Sequence, residues 1–319
     1  MHAVPFNIRK DFYRQHLAPL CVLLAFYPAF SSGMDYSNHT QESSSPHSIH
    51  NPLARAAKAE ADYWQGVYWT HLKHPRRAAM SWLSSAQLGN SQAQFNLGDA
   101  YYFGTGLPKD MAKATQCWRI AAHAGNPQAQ NNLGYAYTHG EGIPENPKKA
   151  VYWWTRSAEQ GDDHAQLLLG LANYYGRGIA QSYEKANAWF LLSARQNNPI
   201  AEIALARDYA QGYGTPQDYT QAFEWFMKAA QQGNLAAELS VGASYYQGQG
   251  TVRNAMQAVD WWKKAANSGS QKAELLLGIA YQDDHTIKNQ NQSLFWLNQA
   301  KSKGGKIAAI AAQMISNSQ

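Results

Sequence analysis

Cysteine is nearly missing from this chain: Cys21 and Cys117 are the only two among 319 residues. Cys21 falls within an N-terminal stretch laid out like a secretory leader, so an exported mature chain would keep one thiol and no internal disulfide framework. Charge is also sparse, at 15% of residues, and the formal excess is only +5. Arg9, Lys10 and Arg14 against Asp11 supply two of those charges, leaving +3 elsewhere, which excludes a strongly basic nucleic-acid surface. Long apolar runs are lacking as well. The longest, HLAPLCVLLAFYPAF, offers about 14 apolar residues interrupted by Pro19 and Pro28, short of the roughly 20 a spanning helix needs.

Chemistry is thin too. No nucleophile–base–acid arrangement, metal motif or dedicated phosphate loop stands out, and nothing calls for a cofactor. His71 and His74 in HLKH stand three apart without a third ligand, and His74 precedes Pro75, where a helix start is expected. Asp162-Asp163-His164 and Asp283-Asp284-His285 fall at expected turns and read as solvated caps.

Residues 1–33 read as a signal peptide: a basic start, the apolar stretch and then Ser31-Ser32-Gly33 as the region of cleavage. A periplasmic or secreted protein follows; an uncleaved leader would instead give an inner-membrane anchor, the one route to membrane contact. Leu20 before Cys21 does not fit a lipoprotein signal. Residues 34–51, MDYSNHTQESSSPHSIHN, carry no hydrophobic period and read as a flexible linker in which His47 and His50 are solvated.

What the sequence has in abundance is a repeat. From Ala93 the pattern A-x-x-x-L-G-x-x-Y-x-x-G-x-G returns at Ala129, Ala165, Ala201, Ala237 and Ala273, 36 residues apart, with lapses in individual units. The Gly104-x-Gly106 step in YYFGTGLPKD resembles a phosphate loop in isolation. It recurs at Gly140/Gly142, Gly176/Gly178, Gly212/Gly214 and Gly248/Gly250, which a single nucleotide site would not do. Counting from each repeat's first Ala as offset 0, offsets 0, 4, 5 and 8 share one helical face. The small residue at offset 5 suggests that a neighbouring backbone passes close by. Gly at offset 11 is placed to end the helix, Gly at 13 to turn the chain, and Asp110, Asn146, Ser182, Asp218 and Asn254 at offset 17 to cap a second helix. That second helix brings Trp or Phe to offsets 24 and 25. Nine of the eleven tryptophans occupy this slot, which marks an inter-helix core. Cys117, beside Trp118, reads as a small buried side chain.

The expected organisation is an all-α solenoid of antiparallel helix pairs over 52–319. Its repeats lie near 57–92, 93–128, 129–164, 165–200, 201–236, 237–272 and 273–307, with a terminal helix over 308–319. The first and last units are degenerate, as the water-facing ends of a stacked array require. With ALG-x-x-Y, G-x-G and W-x-x-x-A-A-x-x-G, the repeat resembles the Sel1-like repeat family, a relative of tetratricopeptide repeats. The resemblance implies a right-handed superhelix used as an adaptor for protein complexes, with some bacterial exported members linked to envelope biology, host-cell interaction or binding of cell-wall fragments; lacking a catalytic constellation, the chain reads as a non-enzymatic binder of a protein or peptide. One exported subgroup carries a cysteine pair in each repeat, which this chain lacks.

In such repeats the face opposite the packing offsets lines a concave groove. Offsets 2, 6, 9 and 10 supply Phe95, Asp99, Tyr102 and Phe103 in one unit and Asn131, Tyr135, Thr138 and His139 in the next. Leu167, Leu171, Tyr174 and Tyr175 follow, then Ile203, Arg207, Ala210 and Gln211, and Leu239, Ala243, Tyr246 and Gln247. Tyr102, Phe103, Tyr135, His139, Tyr174, Tyr175, Arg207 and Tyr246 are the partner-binding candidates, since aromatics and Arg anchor interfaces. Offset 2 is as compatible with burial between repeats. A glycan is the alternative partner, with tyrosines stacking on sugar rings.

Overall fold

A computed structural model describes residues 51–317; the leader and nearly all of the linker expected from the sequence lie outside them. Among the described residues there are fifteen helices and no strand. They are α1 (Pro52–His71), α2 (Pro75–Gln87), α3 (Ser91–Phe103), α4 (Met111–His123), α5 (Pro127–His139), α6 (Pro147–Glu159), α7 (Asp163–Tyr175) and α8 (Tyr183–Ala194). Then come α9 (Pro199–Gln211), α10 (Tyr219–Gln231), α11 (Leu235–Gln247), α12 (Ala255–Asn267), α13 (Gln271–Asp283), α14 (Gln290–Ser302) and α15 (Gly305–Asn317). Each helix packs on the one before and the one after it, which makes an α-solenoid of helix pairs. None of the described helices is long and apolar enough to cross a membrane.

The helices begin and end where the repeat demands. Asp110, Asn146, Ser182, Asp218 and Asn254 cap α4, α6, α8, α10 and α12, each side chain accepting a backbone N–H of the first turn. Each cap residue also donates its own N–H back to the offset-8 carbonyl, as Asn146 does to Tyr137 at 2.8 Å and Asp218 to Tyr209 at 2.9 Å. The turn between paired helices is thereby closed on itself. At the other end, Gly104, Gly140, Gly176, Gly212 and Gly248 take the left-handed conformation. Asn197, at φ 62°, does so where the unit over 165–200 has no glycine after its second helix.

The glycine at offset 5 has a different neighbour from the one expected. A Cβ on Gly98 would sit 2.5 Å from Trp118 Cδ1, and one on Gly134 2.5 Å from Trp154 Nε1. It is the aromatic ring of the paired helix, not a backbone, that takes the vacated space. Gly170 under Phe190 and Gly242 under Trp262 repeat the arrangement. Backbone approach occurs instead at offset 13. Gly142, at φ 69°, rests on the carbonyl of Met111 at the start of α4, where any Cβ would overlap it. This second glycine of each Gly-x-Gly step is therefore where one repeat stacks on its predecessor.

The rings at offset 25 form the core expected of them: Trp118, Trp154, Phe190, Phe226 and Trp262 are all buried. At the first unit Trp82 lies against Gly66 of the longer α1. At the last, Asp284 is not a solvated cap. It is buried, accepts hydrogen bonds from the Thr286 amide and hydroxyl, and forms an ion pair with Arg253.

Candidate partner-binding face

The first helix of each pair presents offsets 9 and 10 beside the core ring, and the candidate residues divide accordingly. Tyr102, Tyr135, Tyr174 and Tyr246 are half-buried, whereas Phe103, His139, Tyr175 and Arg207 are exposed, Tyr175 at 61%. The half-exposure of the offset-9 tyrosines has a cause. Tyr102 lies 5.3 Å from Trp118, Tyr246 5.4 Å from Trp262 and Tyr174 6.4 Å from Phe190, ring centroid to ring centroid. Each phenol therefore covers the outer side of the ring that fills the glycine notch. One edge belongs to the core and the other to solvent.

Within a repeat the structure brings candidates together in pairs. Tyr102 and Phe103 meet edge to face at 5.0 Å, as do Tyr174 and Tyr175, and Tyr135 stacks on His139 at 4.0 Å. His139 also sets its Nδ1 3.0 Å from the Tyr135 carbonyl. Arg207 stands alone on α9, exposed and outside every ion pair found among the described residues.

Offset 2 splits as its ambiguity allowed. Phe95, Leu167 and Ile203 are buried, while Asn131 and Leu239 are half-buried. Offset 6 brings a correction at Asp99. It is buried, and its Oδ1 accepts from Trp118 Nε1 and from Asn132 Nδ2, both at 3.0 Å, so it braces the core ring and the next repeat.

Several functional features escape a reading by groove offsets. Tyr183, first residue of α8, stacks on Tyr213 of the following repeat's turn at 5.2 Å and 18°, and Tyr174 meets Tyr183 edge-on at 4.9 Å. Four tyrosines from two repeats thus adjoin: Tyr174, Tyr175, Tyr183 and Tyr213. Asp208, whose charge is felt at Tyr174, is only 2% exposed, with Oδ2 buried and lacking a hydrogen-bond donor. Burial pushes its carboxyl up to about 7 against the pull of Arg207. Its offset holds Ala100, Ala136, Ala172 and Ala280 in four other repeats, and that break in the pattern is the signal a position-by-position comparison would have caught.

A buried polar row at offset 1 was also unforeseen. Gln130 and Gln166 each donate Nε2 to a carbonyl at the end of the preceding helix, Ala122 at 3.1 Å and Ala158 at 3.2 Å. Each also accepts from a glutamine later in its own repeat, Gln160 or Gln196. Glu202, Glu238 and Glu274 hold the same offset further along. Glu202 accepts from Gln232 Nε2 at 2.8 Å, but its other oxygen is unpaired and buried. Burial raises its carboxyl to about 7, with Lys228 opposing.

Two surface cavities are lined by apolar and amide side chains with Lys113, Cys117, Thr215 and two tyrosines, and hold neither a carboxylate nor a histidine. Among the described residues no cluster of His, Cys, Asp and Glu could hold a metal ion. Cys117 is buried, and burial pushes its thiol up to about 11, away from nucleophilic use at neutral pH.

The Sel1 repeat model matches six consecutive segments: 91–126, 127–162, 163–198, 199–234, 235–270 and 271–305. Each matched segment begins at the first residue of an odd-numbered helix from α3 onward. Among solved structures, a Sel1 repeat protein from Oxalobacter formigenes is 28% identical with a TM-score of 0.65, covering 75% of this chain and 96% of its own. The protective antigen c5321 of uropathogenic Escherichia coli, which displays an SLR fold, shares 24% identity and a TM-score of 0.62 over 82% of this chain and 68% of its own. No curated protein matches. The six matched segments run without a break through most of the solenoid, and the chain belongs to the Sel1 repeat family.

Proposed function

We propose that this protein is an exported, non-catalytic adaptor that binds a protein or peptide partner along the face carrying Tyr102, Phe103, Tyr135, His139, Tyr174, Tyr175, Arg207 and Tyr246. Sel1 repeat solenoids are in general scaffolds for protein interaction. The observation that carries the reading for this chain is the contrast between two faces of the same helices. The packing offsets repeat small residues and rings, while offsets 9 and 10 present partly exposed phenol, phenyl, imidazole and amide groups in changing combinations. Half-exposed aromatics already held in place by a core ring lose little side-chain freedom on binding, which favours them as anchors. Export rests on the layout of residues 1–33 alone.

Capture from an envelope fraction tests this with the wild type beside the Tyr135→Ala/Tyr174→Ala/Arg207→Ala variant, both first matched for helical content. A partner retained by the wild type and lost by the variant supports the face; equal recovery of every captured protein by the two sinks it. The half-exposed tyrosine rings also favour a second reading, stacking on the sugar rings of a cell-wall glycan. Retention of soluble peptidoglycan fragments, lost in the same variant, is its signature. Sequencing the N-terminus of the mature protein checks export.

A further inference from the structure

Two of the offset-9 tyrosines carry a cation of their own repeat. Lys109 lies over the Tyr102 ring, 5.9 Å from the centroid, and Arg253 over Tyr246 at 5.8 Å. Both cations occupy offset 16. Arg253 goes further and pairs with the buried Asp284 of the next repeat, whose charge is also felt at the Tyr246 phenol. A phenol ring, a cation on its face and a buried carboxylate from the following repeat thus form a complete set at Tyr246. The ring's negative face and the carboxylate both attract the guanidinium.

At Tyr174 a related set lacks its middle member, with the carboxylate four positions earlier in the following repeat, at offset 7 where Asp284 holds offset 11. Offset 16 is Gln181, whose amide donates to the Tyr174 carbonyl at 2.8 Å and to the Tyr183 hydroxyl at 3.1 Å and brings no charge. The carboxylate is nevertheless there. Asp208 of the following repeat is 2% exposed with one oxygen unpaired, and after burial itself it is the largest influence raising the Tyr174 phenol. Of the basic groups nearby, Arg207 points its charge into solvent without pairing to Asp208, and Arg177 lies over Tyr175 at 5.6 Å. A buried carboxylate without a partner is costly to keep. Four of the other repeats avoid that cost with Ala at this offset.

We propose that the missing cation comes from the partner: Asp208, next to the cluster of Tyr174, Tyr183 and Tyr213, receives a lysine or arginine side chain of a bound peptide. The inference rests on the peptide-binding reading above and narrows its ligand to a basic segment. The four tyrosines supply faces and hydroxyls for the stem and head of the incoming side chain, and the carboxylate fixes its sign. A neutral or acidic segment gains nothing from Asp208.

The test is selection of random linear peptides, displayed on phage, against the full chain and its Asp208→Asn variant. The expected result is enrichment of peptides with Lys or Arg at one fixed position on the wild type only. A synthetic copy of an enriched peptide should then bind Asp208→Asn roughly ten- to a hundredfold more weakly, the range in which a desolvated charge pair contributes to binding. Citrulline or norleucine in place of the basic residue should cost the wild type as much and the variant nothing. Gln181→Arg is the second variant. It installs the intramolecular cation seen at Arg253, and should weaken the same peptide while leaving Asp208 and the fold in place. Peptides that enrich without a basic position, or that bind Asp208→Asn and Gln181→Arg as tightly as the wild type, overturn this inference and leave peptide binding standing. Enrichment of no peptide at all overturns both.

Discussion

Replacing Glu202 by the Gln that holds its offset in three other repeats should stabilise the protein, and only above a definable pH. Gln130 and Gln166 show what offset 1 is built to do: donate to a carbonyl of the preceding helix and accept from a glutamine of its own repeat. Ionised Glu202 can accept from Gln232 but has no proton to give, and one oxygen stays buried and unpaired. Its carboxyl moves from an ordinary 4.5 to about 7, because burial disfavours the charged form and Lys228 offsets that only in part. A carboxyl raised on folding takes up protons as the chain folds. Its contribution is therefore neutral below about 4.5, turns against folding as pH rises towards 7 and is fully unfavourable above that. At about 1.4 kcal/mol per pH unit, the full cost is on the order of 3 kcal/mol.

Glu202→Gln should accordingly protect the protein by roughly 3 kcal/mol at pH 8 and by almost nothing at pH 4. Repeat arrays open in parts, so a global midpoint blurs such an effect. Hydrogen exchange read on peptides from α9 and α10 is the sharper assay. In the regime where opening is at equilibrium, 3 kcal/mol slows exchange about a hundredfold at pH 8. Comparing variant and wild type at one pH cancels the intrinsic exchange rate. Equal protection at both pH values, or faster exchange in the variant at pH 8, would refute the reasoning.

Four further outcomes follow from single contacts. Gly134→Ala sets a Cβ 2.5 Å from the Trp154 indole and should destabilise the protein by about 1–3 kcal/mol, seen as earlier unfolding in urea. Gly142→Ala should do worse than Gly134→Ala in the same titration, since it combines a φ of 69° with overlap of the Met111 carbonyl, and backbone cannot swing aside. Asn146→Ala removes the acceptor of the Lys149 amide and should cost about 1 kcal/mol, detectable as faster exchange confined to the start of α6. The Cys117 thiol, raised to about 11 by burial, should resist a disulfide reagent at pH 8 until denaturant is added; prompt labelling of the native protein would contradict its placement.

How far the sequence discloses this structure depends on whether a property belongs to the repeat or to one residue. Caps, glycine stops and core rings recur at fixed offsets, and five independent copies of Asp110, Asn146, Ser182, Asp218 and Asn254 make a helix start unmistakable. The close approach at offset 5 was legible as a need for space but not as to what filled it. A glycine says that a Cβ is excluded and carries no mark of whether a ring or a backbone excludes it. Asp284 looked solvated because it falls at an expected turn, and the Arg253 that pairs with its charge lies in the preceding repeat. Tyr183 and Tyr213 were passed over for a similar reason. Each sits outside the first-helix face, and only stacking of adjacent turns brings them beside Tyr174.

The informative positions of an array are thus those where it departs from itself. A repeat that needs only to stack has no use for a charged group in its core. Asp208 and Glu202 both stand on α9, both are buried with an oxygen unpaired, and both titrate near 7. They differ in what surrounds them. Glu202 lies in a row where Gln130 and Gln166 show how a neutral amide satisfies the same geometry within the chain, so its charge carries a stability cost that Gln would remove. Asp208 has no such internal model, and its charge is felt instead at Tyr174, whose counterpart Tyr246 carries an arginine on its ring. Substituting both should separate the two roles. Glu202→Gln should change protection without changing peptide binding, and Asp208→Asn should abolish the preference for a basic peptide without loosening the repeat. If both variants move both readouts together, α9 responds as one unit, and the assignment of a ligand to Asp208 fails.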